Sequence, residues 1–356
     1  MSEESDPECP RVPRDDRART CGDRRAPLDS HLMIDIRPNA GRRDLPLPSA
    51  HAVPRPIAAL VGGTLATLAL SALSALAACG GGGTSITTTP PTDTTPVPTI
   101  TWNLVWSDEF DGAAGASVDP AKWSFDLGDG CTAGICGWGN NEKEYYTNGT
   151  ENASLDGQGH LAIVARPAVL NTTCYYGPCR YTSAKITTRG KMNAAPGRVE
   201  ARIRIPRGQG LWPAFWMLGN DFPTVGWPAS GELDIMENKG SAPNISSSAI
   251  HGPGYSGNTP FAHATSISPP ATLADDYHVY AVEWDAVGAN FYVDGTMHYV
   301  VLRSDLQRYG ASILDKPYYI ILNLAVGGNF DGDPASDAIL PATMLVDYVR
   351  VYTRAK

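Results

Sequence analysis

The densest group of potentially catalytic residues lies in residues 231–238, which read Gly-Glu-Leu-Asp-Ile-Met-Glu-Asn. Acids alternate with apolar residues in this run, and a period of two predicts a β-strand. Residues i and i+2 of a strand share a face, so Glu232 and Asp234 point the same way. Glu237 would lie on the opposite face unless one extra residue, a β-bulge near Ile235-Met236, restored it. With that bulge, all three carboxyl groups line one surface.

Three acids on one face repel one another, so a stable fold needs a chemical reason to keep them. A retaining glycosidase uses one ionised carboxylate as nucleophile and one protonated carboxyl as acid, about 5–5.5 Å apart. A third acid between them can hydrogen-bond the nucleophile and raise the pKa of its partner by like-charge coupling. The alternative is a solvated strand edge, but the segment before this run contains three Trp and no Lys or Arg. The residue types therefore favour acid–base and nucleophilic chemistry on a neutral substrate.

The chain from residue 101 to residue 356 is rich in short runs of Val, Ile, Tyr, Trp and Thr, broken by Gly, Pro, Asn and Asp. Such runs predict short strands, and long helical periodicity is absent from this segment. The clearest runs are Leu161–Arg166, Lys185–Thr188, Arg198–Ile205, His278–Trp284, Asn290–Val293, Tyr318–Leu324 and Met344–Tyr352. We therefore predict one all-β domain over residues 101–356, built as a β-sandwich.

Several motifs in this segment occur in an order that carries a family resemblance. They are Trp106-Ser-Asp-Glu-Phe110, Gly137-Trp-Gly-Asn-Asn-Glu142, Tyr145-Tyr-Thr147, Gly197-Arg-Val-Glu-Ala-Arg202, Gly208-Gln-Gly-Leu-Trp-Pro-Ala-Phe-Trp-Met-Leu218, His251-Gly-Pro-Gly-Tyr255, Val293-Asp-Gly295, Asn323-Leu-Ala-Val-Gly-Gly-Asn329 and Val346-Asp-Tyr-Val-Arg-Val-Tyr352. With the acid run, they resemble glycoside hydrolase family 16, of the bacterial endo-β-1,3-glucanase (laminarinase) type, over nearly all of residues 102–353. The resemblance implies a jelly roll of two curved antiparallel sheets with a substrate groove on the concave face.

The same resemblance implies an endo-acting, retaining hydrolase of β-1,3-glucan that works by double displacement and needs no cofactor for catalysis. Glu232 matches the nucleophile, Glu237 the general acid/base, and Asp234 the residue that orients the nucleophile. The two Glu roles rest on the family, because the spacing of the acids is symmetric. Cleavage of mixed-linked β-1,3-1,4-glucan is one alternative, although relatives with that preference lack the bulge that Met236 introduces. A non-catalytic β-glucan-binding module is another, although such relatives lack the Glu pair.

Sugars present flat apolar faces, so aromatic platforms and a few polar groups are the expected binders of a glucan. The aromatic candidates are Trp138, Trp212, Trp216 and Trp227, and the polar candidates, taken from the family motifs, are Asn140, Glu142, Arg189, His251 and Asn323. Core packing is the alternative role for Trp216, and a surface charge is the alternative for Arg189. The chain departs from the family pattern at Lys143-Glu144, where relatives usually carry an aliphatic residue and Gln. That departure bears on fine specificity and leaves catalysis untouched.

The resemblance also implies a structural calcium ion on the convex face. Its ligands would be the carboxylate of Asp347 and the backbone carbonyls of Glu109 and Gly159, completed by water. Calcium takes oxygen ligands of these kinds.

The front of the chain has a different composition from the predicted domain. Residues 1–55 contain ten Arg and ten acids with few aromatics, which predicts a disordered leader or a misassigned start. Residues 56–79 begin with an uncharged, Ala-rich stretch that ends Leu-Ala-Ala-Cys-Gly, which resembles a signal peptide with a lipobox. Cys79 would be the lipidated residue, and residues 80–100 form a Thr/Pro/Gly-rich linker. We expect an exported protein, either a cell-surface or outer-membrane lipoprotein or a secreted one.

Four cysteines of the predicted domain lie in two close pairs, Cys131 with Cys136 and Cys174 with Cys179. Local disulfides are the economical expectation in an exported protein, although four cysteines allow three connectivities. Zinc is the alternative, but Cys-x4-Cys without a nearby His is a poor zinc spacing.

The net charge of the chain is −9, all of it carried by residues 56–356. An acidic domain is a poor partner for nucleic acid or acidic polysaccharide, because phosphate and sulfate groups require Lys and Arg. The expected partner is a neutral β-glucan, with no nucleic acid and with membrane contact only through the N-terminal lipid or signal anchor. We expect a monomer.

Overall fold

A computed structural model describes residues 100–169 and 171–355 of the protein. Nineteen strands dominate this part of the chain. The strands are β1 (Trp102–Asp108), β2 (Ser124–Asp126), β3 (Glu144–Tyr146), β4 (Ala153–Leu155), β5 (Leu161–Pro167), β6 (Thr173–Cys174), β7 (Gly177–Pro178), β8 (Tyr181–Ser183), β9 (Lys185–Thr187), β10 (Arg198–Arg204), β11 (Leu211–Gly219), β12 (Glu232–Glu237), β13 (Ile245–His251), β14 (Phe261–Ser266), β15 (His278–Trp284), β16 (Gly288–Val293), β17 (Thr296–Leu302), β18 (Tyr318–Val326) and β19 (Ala342–Arg354). The helices are α1 (Phe222–Val225) and α2 (Arg303–Tyr309), with 3₁₀ turns at Cys131–Ala133, Cys136–Gly139 and Asp337–Ile339.

The strands form two large sheets. The first sheet has the order β17-β16-β15-β10-β19-β5-β8-β3, with β1 paired to β19 and β4 paired to β5. The second sheet has the order β14-β13-β12-β11-β18-β9-β2, and β6 with β7 forms a separate hairpin. Pairing is antiparallel throughout these sheets except between β3 and β8. The predicted all-β architecture is confirmed.

One hydrophobic core lies between the two sheets. In β5 the alternating residues Leu161, Ile163 and Ala165 are fully buried, as a strand with one face on a core requires. The second sheet supplies Met236 and Phe215 to the same core. Every residue of β18 is buried, so this central strand is covered on both faces. That explains why its sequence is an apolar run interrupted only by Asn323, rather than an alternating one.

The predicted bulge in the acid strand is present. Along the β11–β12 pair, Phe215 lies opposite Met236 and Trp216 lies opposite Asp234, so Ile235 has no partner on β11. The register of β12 against β13 also shifts between Asp234 and Glu237. The extra residue puts Met236 on the core face and returns Glu237 to the face of the other two acids.

The seven predicted runs all correspond to strands, with ends displaced by at most a few residues. The structure pairs Cys131 with Cys136 and Cys174 with Cys179 as disulfides, which are the two local pairings that the spacing favours. Within the described residues, no helix has the length and apolar composition needed to cross a bilayer. Segments 1–55, 56–79 and most of the 80–100 linker, with Cys79, lie outside the described residues.

Candidate active site

The outer face of the second sheet, which points away from the core, gathers the acids with polar residues from three other strands. Directly opposed residues of an antiparallel sheet share a face. Glu237 on β12 opposes Ala214 on β11, which in turn opposes Asn323 on β18. Asn323 opposes Lys185 on β9, and Lys185 opposes Asp126 on β2. A row of residues distant in sequence therefore crosses this face, starting at the acids.

The three acids are held by hydrogen-bonding groups from neighbouring strands. Nε1 of Trp212 donates to Oε1 of Glu237 at 2.9 Å. His251 on β13 opposes Glu232, and its Nε2 lies 3.2 Å from Oδ2 of Asp234 and 3.8 Å from Oε1 of Glu232. Asp234 is only 4% exposed. The imidazole therefore bridges two of the acids from the adjacent strand.

Burial raises the pKa of all three carboxyls. The pKa of Asp234 rises to about 7 and that of Glu237 to about 8, and in both groups burial is the main cause. The pKa of Glu232 lies well above its usual range because of burial and then the charge of Asp234, opposed by His251 and a hydrogen bond from Trp227. A hydrogen bond between Glu232 and Asp234 favours the ionised form of Asp234. At neutral pH the cluster therefore retains protons, as acid catalysis requires.

Ligand atoms of Glu232, Asp234 and His251 all lie within 4.8 Å of one another, which is close enough for a shared cation. The direct contact between His251 Nε2 and Asp234 Oδ2 already pairs two of these atoms. The imidazole of His251 lies at ion-pair distance from both acids, which accounts for the proximity of these atoms.

A chain of hydrogen bonds leads from the row across the sheet to the loop before β3. Nε1 of Trp216 donates to Oδ1 of Asn323 at 2.8 Å, and Nδ2 of Asn323 donates to the hydroxyl of Tyr146 at 3.1 Å. That hydroxyl donates to Oε2 of Glu142 at 3.3 Å, while Nδ2 of Asn140 donates to Oε1 at 3.1 Å. Four of the predicted sugar-binding residues are thus joined into one network.

The indole of Trp138 lies beside this network in a strained loop. Trp138 has a φ of 51°, which non-glycine residues rarely adopt. Nζ of Lys185 lies 4.2 Å from the centre of the Trp138 ring and 5.0 Å from that of Trp216. The lysine therefore holds the two indoles by cation–π contacts. Backbone strain of this kind clusters at ligand-binding sites and is consistent with a binding role for Trp138.

Two aromatic residues lie near opposite ends of the acid strand. Trp227 follows α1, is 45% exposed, and has its ring centre 6.0 Å from that of His251. The ring of Trp212 stacks on Phe330 at 4.8 Å. An exposed indole and a stacked aromatic pair therefore lie on either side of the acids.

Arg189 follows β9 and forms an ion pair with Asp126 at 2.8 Å. Its guanidinium lies 5.9 Å from the centre of the Tyr319 ring. Arg189 is therefore at the end of the sheet that is distant from the acids, where it is exposed and held by Asp126.

The predicted calcium ligands lie away from the acids, on and around the first sheet. Oδ2 of Asp347 pairs with Arg202 at 2.6 Å, and the carboxylate of Glu109 pairs with Arg350. The backbone carbonyls of Glu109 and Gly159 are oxygen donors of the kind that calcium binds. Because Arg202 pairs with Oδ2 of Asp347, only Oδ1 of this carboxylate would be left for a calcium ion.

Three residues at the site were not predicted from the sequence: Tyr146, Lys185 and Phe330. The departure at Lys143-Glu144 was identified, but the complete burial of Glu144 was not. Tyr146 and Phe330 directly follow or lie inside motifs that carried the family resemblance, so their position was a usable signal. Lys185 is the first residue of β9, in which every residue is buried. A lysine in a buried strand indicates that one face of the sheet is polar.

Comparisons with known proteins agree with this geometry. The model of the Glycosyl hydrolases family 16 matches residues 140–350. Beta-glucanase of Rhodothermus marinus is 40% identical over 260 residues, which cover 70% of this chain and 85% of that protein. Glucan endo-1,3-beta-glucosidase A1 of Niallia circulans is 39% identical over 270 residues, which cover 70% of this chain but only 38% of that longer protein.

A solved structure extends the similarity to the fold. The X-ray structure of endo-beta-1,3-glucanase from Pyrococcus furiosus aligns with a TM-score of 0.68 at 41% identity, covering 73% of this chain and all of that one. The family match spans more than half of the chain and includes the acid strand. The chain therefore belongs to glycosyl hydrolase family 16.

Proposed function

We propose that the protein is an endo-acting, retaining glycoside hydrolase that cleaves β-1,3-glucan by double displacement. The observation that carries the proposal is the bulge in β12, which brings Glu232, Asp234 and Glu237 to one face. Relatives named as glucanases, with about 40% identity over most of the described residues, support the substrate class.

In the first step, an oxygen of Glu232 forms a bond to the anomeric carbon while the glycosidic C–O bond breaks. Glu237 transfers its proton to the departing sugar oxygen, so the leaving group departs as an alcohol. Asp234 accepts the proton shared with Glu232, which leaves Glu232 ionised for attack. The product of this step is a covalent glycosyl ester on Glu232.

In the second step, Glu237 acts as a base. It removes a proton from water as the water oxygen bonds to the anomeric carbon, and the ester bond to Glu232 breaks. Glu237 is protonated again and the anomeric configuration is retained. The N–H of Trp212, 2.9 Å from Oε1, orients Glu237 in both steps.

The bulge in β12 and the charge of the site both favour β-1,3-glucan as the substrate. The bulge places Met236 on the core face, and it favours β-1,3-glucan because the family resemblance associates a preference for mixed-linked glucan with relatives that lack the bulge. A carrageenan-like substrate would need more cations than this face offers. The non-catalytic binding module is disfavoured because its surface would not need three clustered acids with raised pKa values.

We also propose that the protein binds a structural calcium ion and is located at the cell surface. A calcium ion on Asp347 and the carbonyls of Glu109 and Gly159 would stabilise the first sheet and supply no chemistry to the reaction. Residues 56–79 support export, with Cys79 as the lipid attachment site, and membrane contact is proposed only through that anchor. The catalytic domain is proposed to be a monomer.

The test compares release of reducing ends from laminarin, barley β-glucan and agarose by the wild type and by Glu232→Gln. Glu151→Gln is the matched control, because Glu151 is an exposed acid in the turn before β4. We expect release from laminarin that Glu232→Gln abolishes and Glu151→Gln retains. Activity on another polymer alone would overturn the linkage preference, and laminarin binding without any cleavage would favour the binding module.

A further inference from the structure

Glu144 is a buried carboxyl that the proposed mechanism does not use. It opens β3, is 0% exposed, and its Oε2 accepts a hydrogen bond from the backbone N–H of Val326 at 2.7 Å. Its other oxygen, Oε1, has no hydrogen-bond donor among the described residues. If Glu144 were ionised, one charged oxygen would be buried without a hydrogen bond, which would destabilise the folded protein by several kcal/mol.

A second buried carboxyl, Glu142, lies two residues earlier in the same extended segment and is 6% exposed, and residues i and i+2 of such a segment share a face. Besides burial, the charge of Glu142 raises the pKa of Glu144, as a carboxylate close by does. Both oxygens of Glu142 already accept hydrogen bonds, from Asn140 and from Tyr146, and Lys185 adds a favourable positive charge. Glu142 is therefore the better acceptor of the pair, and a proton shared between the two belongs on Glu144.

We propose that Glu144 is a protonated carboxylic acid that donates a hydrogen bond to Glu142 and so holds Glu142 as the ionised acceptor for a sugar hydroxyl. Glu144 is a positioning residue for glucan binding, and this role rests on the proposed function of the site. When Glu144 loses its proton at alkaline pH, two adjacent carboxylates repel, Glu142 is displaced, and glucan binding weakens.

The electrostatic surroundings support this assignment. Burial raises the pKa of Glu144 well above its usual range, and the charge of Glu142 raises it further. The titratable groups that face the pair are Tyr146 on β3, Tyr176 between β6 and β7, Lys185 on β9 and Glu237 on β12. Lys185 is the only cation among these groups, and its charge lowers the pKa of Glu142. The charge of Glu142 also raises the pKa of Glu237, so an ionised Glu142 helps to keep the general acid protonated.

Two substitutions separate a hydrogen-bond role from a packing role. Glu144→Gln keeps the shape and supplies an amide N–H donor that does not titrate. Glu144→Leu keeps an apolar side chain of similar size and removes the donor.

We expect the KM of the wild type for laminarin to rise at alkaline pH. We expect the KM of Glu144→Gln to stay flat over the same pH range and to lie within about twofold of the wild-type value at neutral pH. Glu144→Leu is expected to raise KM by about tenfold at all pH values, with kcat changed far less, because a hydrogen bond to a charged group is lost.

A second readout does not depend on activity or on the folding of Glu144→Leu. The infrared difference spectrum between the wild type and Glu144→Gln at neutral pH should contain the carbonyl band of a protonated carboxylic acid. The inference is overturned if that band is absent, or if Glu144→Gln shows the same alkaline rise of KM as the wild type. If the wild type cleaves no glucan, the proposed function fails, while the infrared band still decides the protonation of Glu144.

Discussion

Replacing Glu237 with Gln is expected to make the protein more stable at pH 8, although it removes the proposed general acid. Burial, followed by the charge of Asp234, raises the pKa of Glu237 in the folded protein from 4.5 to about 8. In the unfolded chain, the carboxyl loses its proton near its ordinary pKa. Between these two values the folded state binds more protons than the unfolded state, so stability falls as the pH rises.

The magnitude follows from the size of the shift. Each pH unit costs at most about 1.4 kcal/mol per proton, so a shift from 4.5 to about 8 amounts to at most about 5 kcal/mol at pH 8. Asp234 titrates in the same cluster, with its pKa raised to about 7, and shares this cost. We therefore expect the unfolding free energy of Glu237→Gln to exceed that of the wild type by about 2 kcal/mol at pH 8. Near pH 4 the two values should be equal, because the carboxyl is then protonated in both the folded and the unfolded protein. The amide oxygen can still accept the hydrogen bond from Trp212.

The assay is urea unfolding followed by circular dichroism at several pH values from 4 to 8, with Glu151→Gln as the control for removing an exposed acid. The expected result is a shallower fall of the unfolding free energy with pH in Glu237→Gln than in either other protein. An unchanged pH dependence, or a Glu237→Gln variant less stable than the wild type at pH 8, would mean that Glu237 is already ionised at neutral pH. It could not then serve as the general acid.

Three further predictions concern the groups around the acids. Asn323→Ala should lower kcat/KM for laminarin by about tenfold and destabilise the fold by about 1–3 kcal/mol, because it leaves the indole N–H of Trp216 without an acceptor and removes one of the two hydrogen bonds of the Tyr146 hydroxyl. Steady-state kinetics and urea unfolding test both effects, and an unchanged kcat/KM would contradict the network. Trp227→Ala should raise KM without changing stability, because the indole is 45% exposed; loss of stability in the same unfolding assay would instead indicate a packing role. Removal of calcium with a chelator should lower the melting temperature of the wild type and not that of Asp347→Asn; equal effects of chelator on both proteins would exclude Asp347 as the ligand.

The strands and the bulge could be predicted because their signals are local. Short runs of strand-forming residues identified β5 and β10, and the spacing of three acids required one extra residue before Glu237 to bring them to one face. The two short helices gave no such signal. Each follows a strand and spans seven residues or fewer, which is too short to show a helical period.

The contacts that hold the site together could not be predicted from local patterns. Lys185 touches the rings of Trp138 and Trp216 only because β9 pairs with β18 and β18 pairs with β11. Strand order depends on how the two whole sheets pack, so it cannot be predicted from any short segment of the sequence. The role inferred for Glu144 has the same origin, since Val326 reaches it from a strand almost two hundred residues away.

The most direct test of the mechanism is to trap the covalent intermediate. A β-1,3-linked disaccharide with fluorine at the 2-position of the reacting sugar and a good leaving group slows breakdown of the ester on the enzyme. After incubation, the protein is digested and the labelled peptide is identified by mass spectrometry, with Glu232→Gln as the control. The account predicts one disaccharide attached to Glu232 and no label in the variant. A label on Glu237, or no label together with product of inverted configuration, would contradict it.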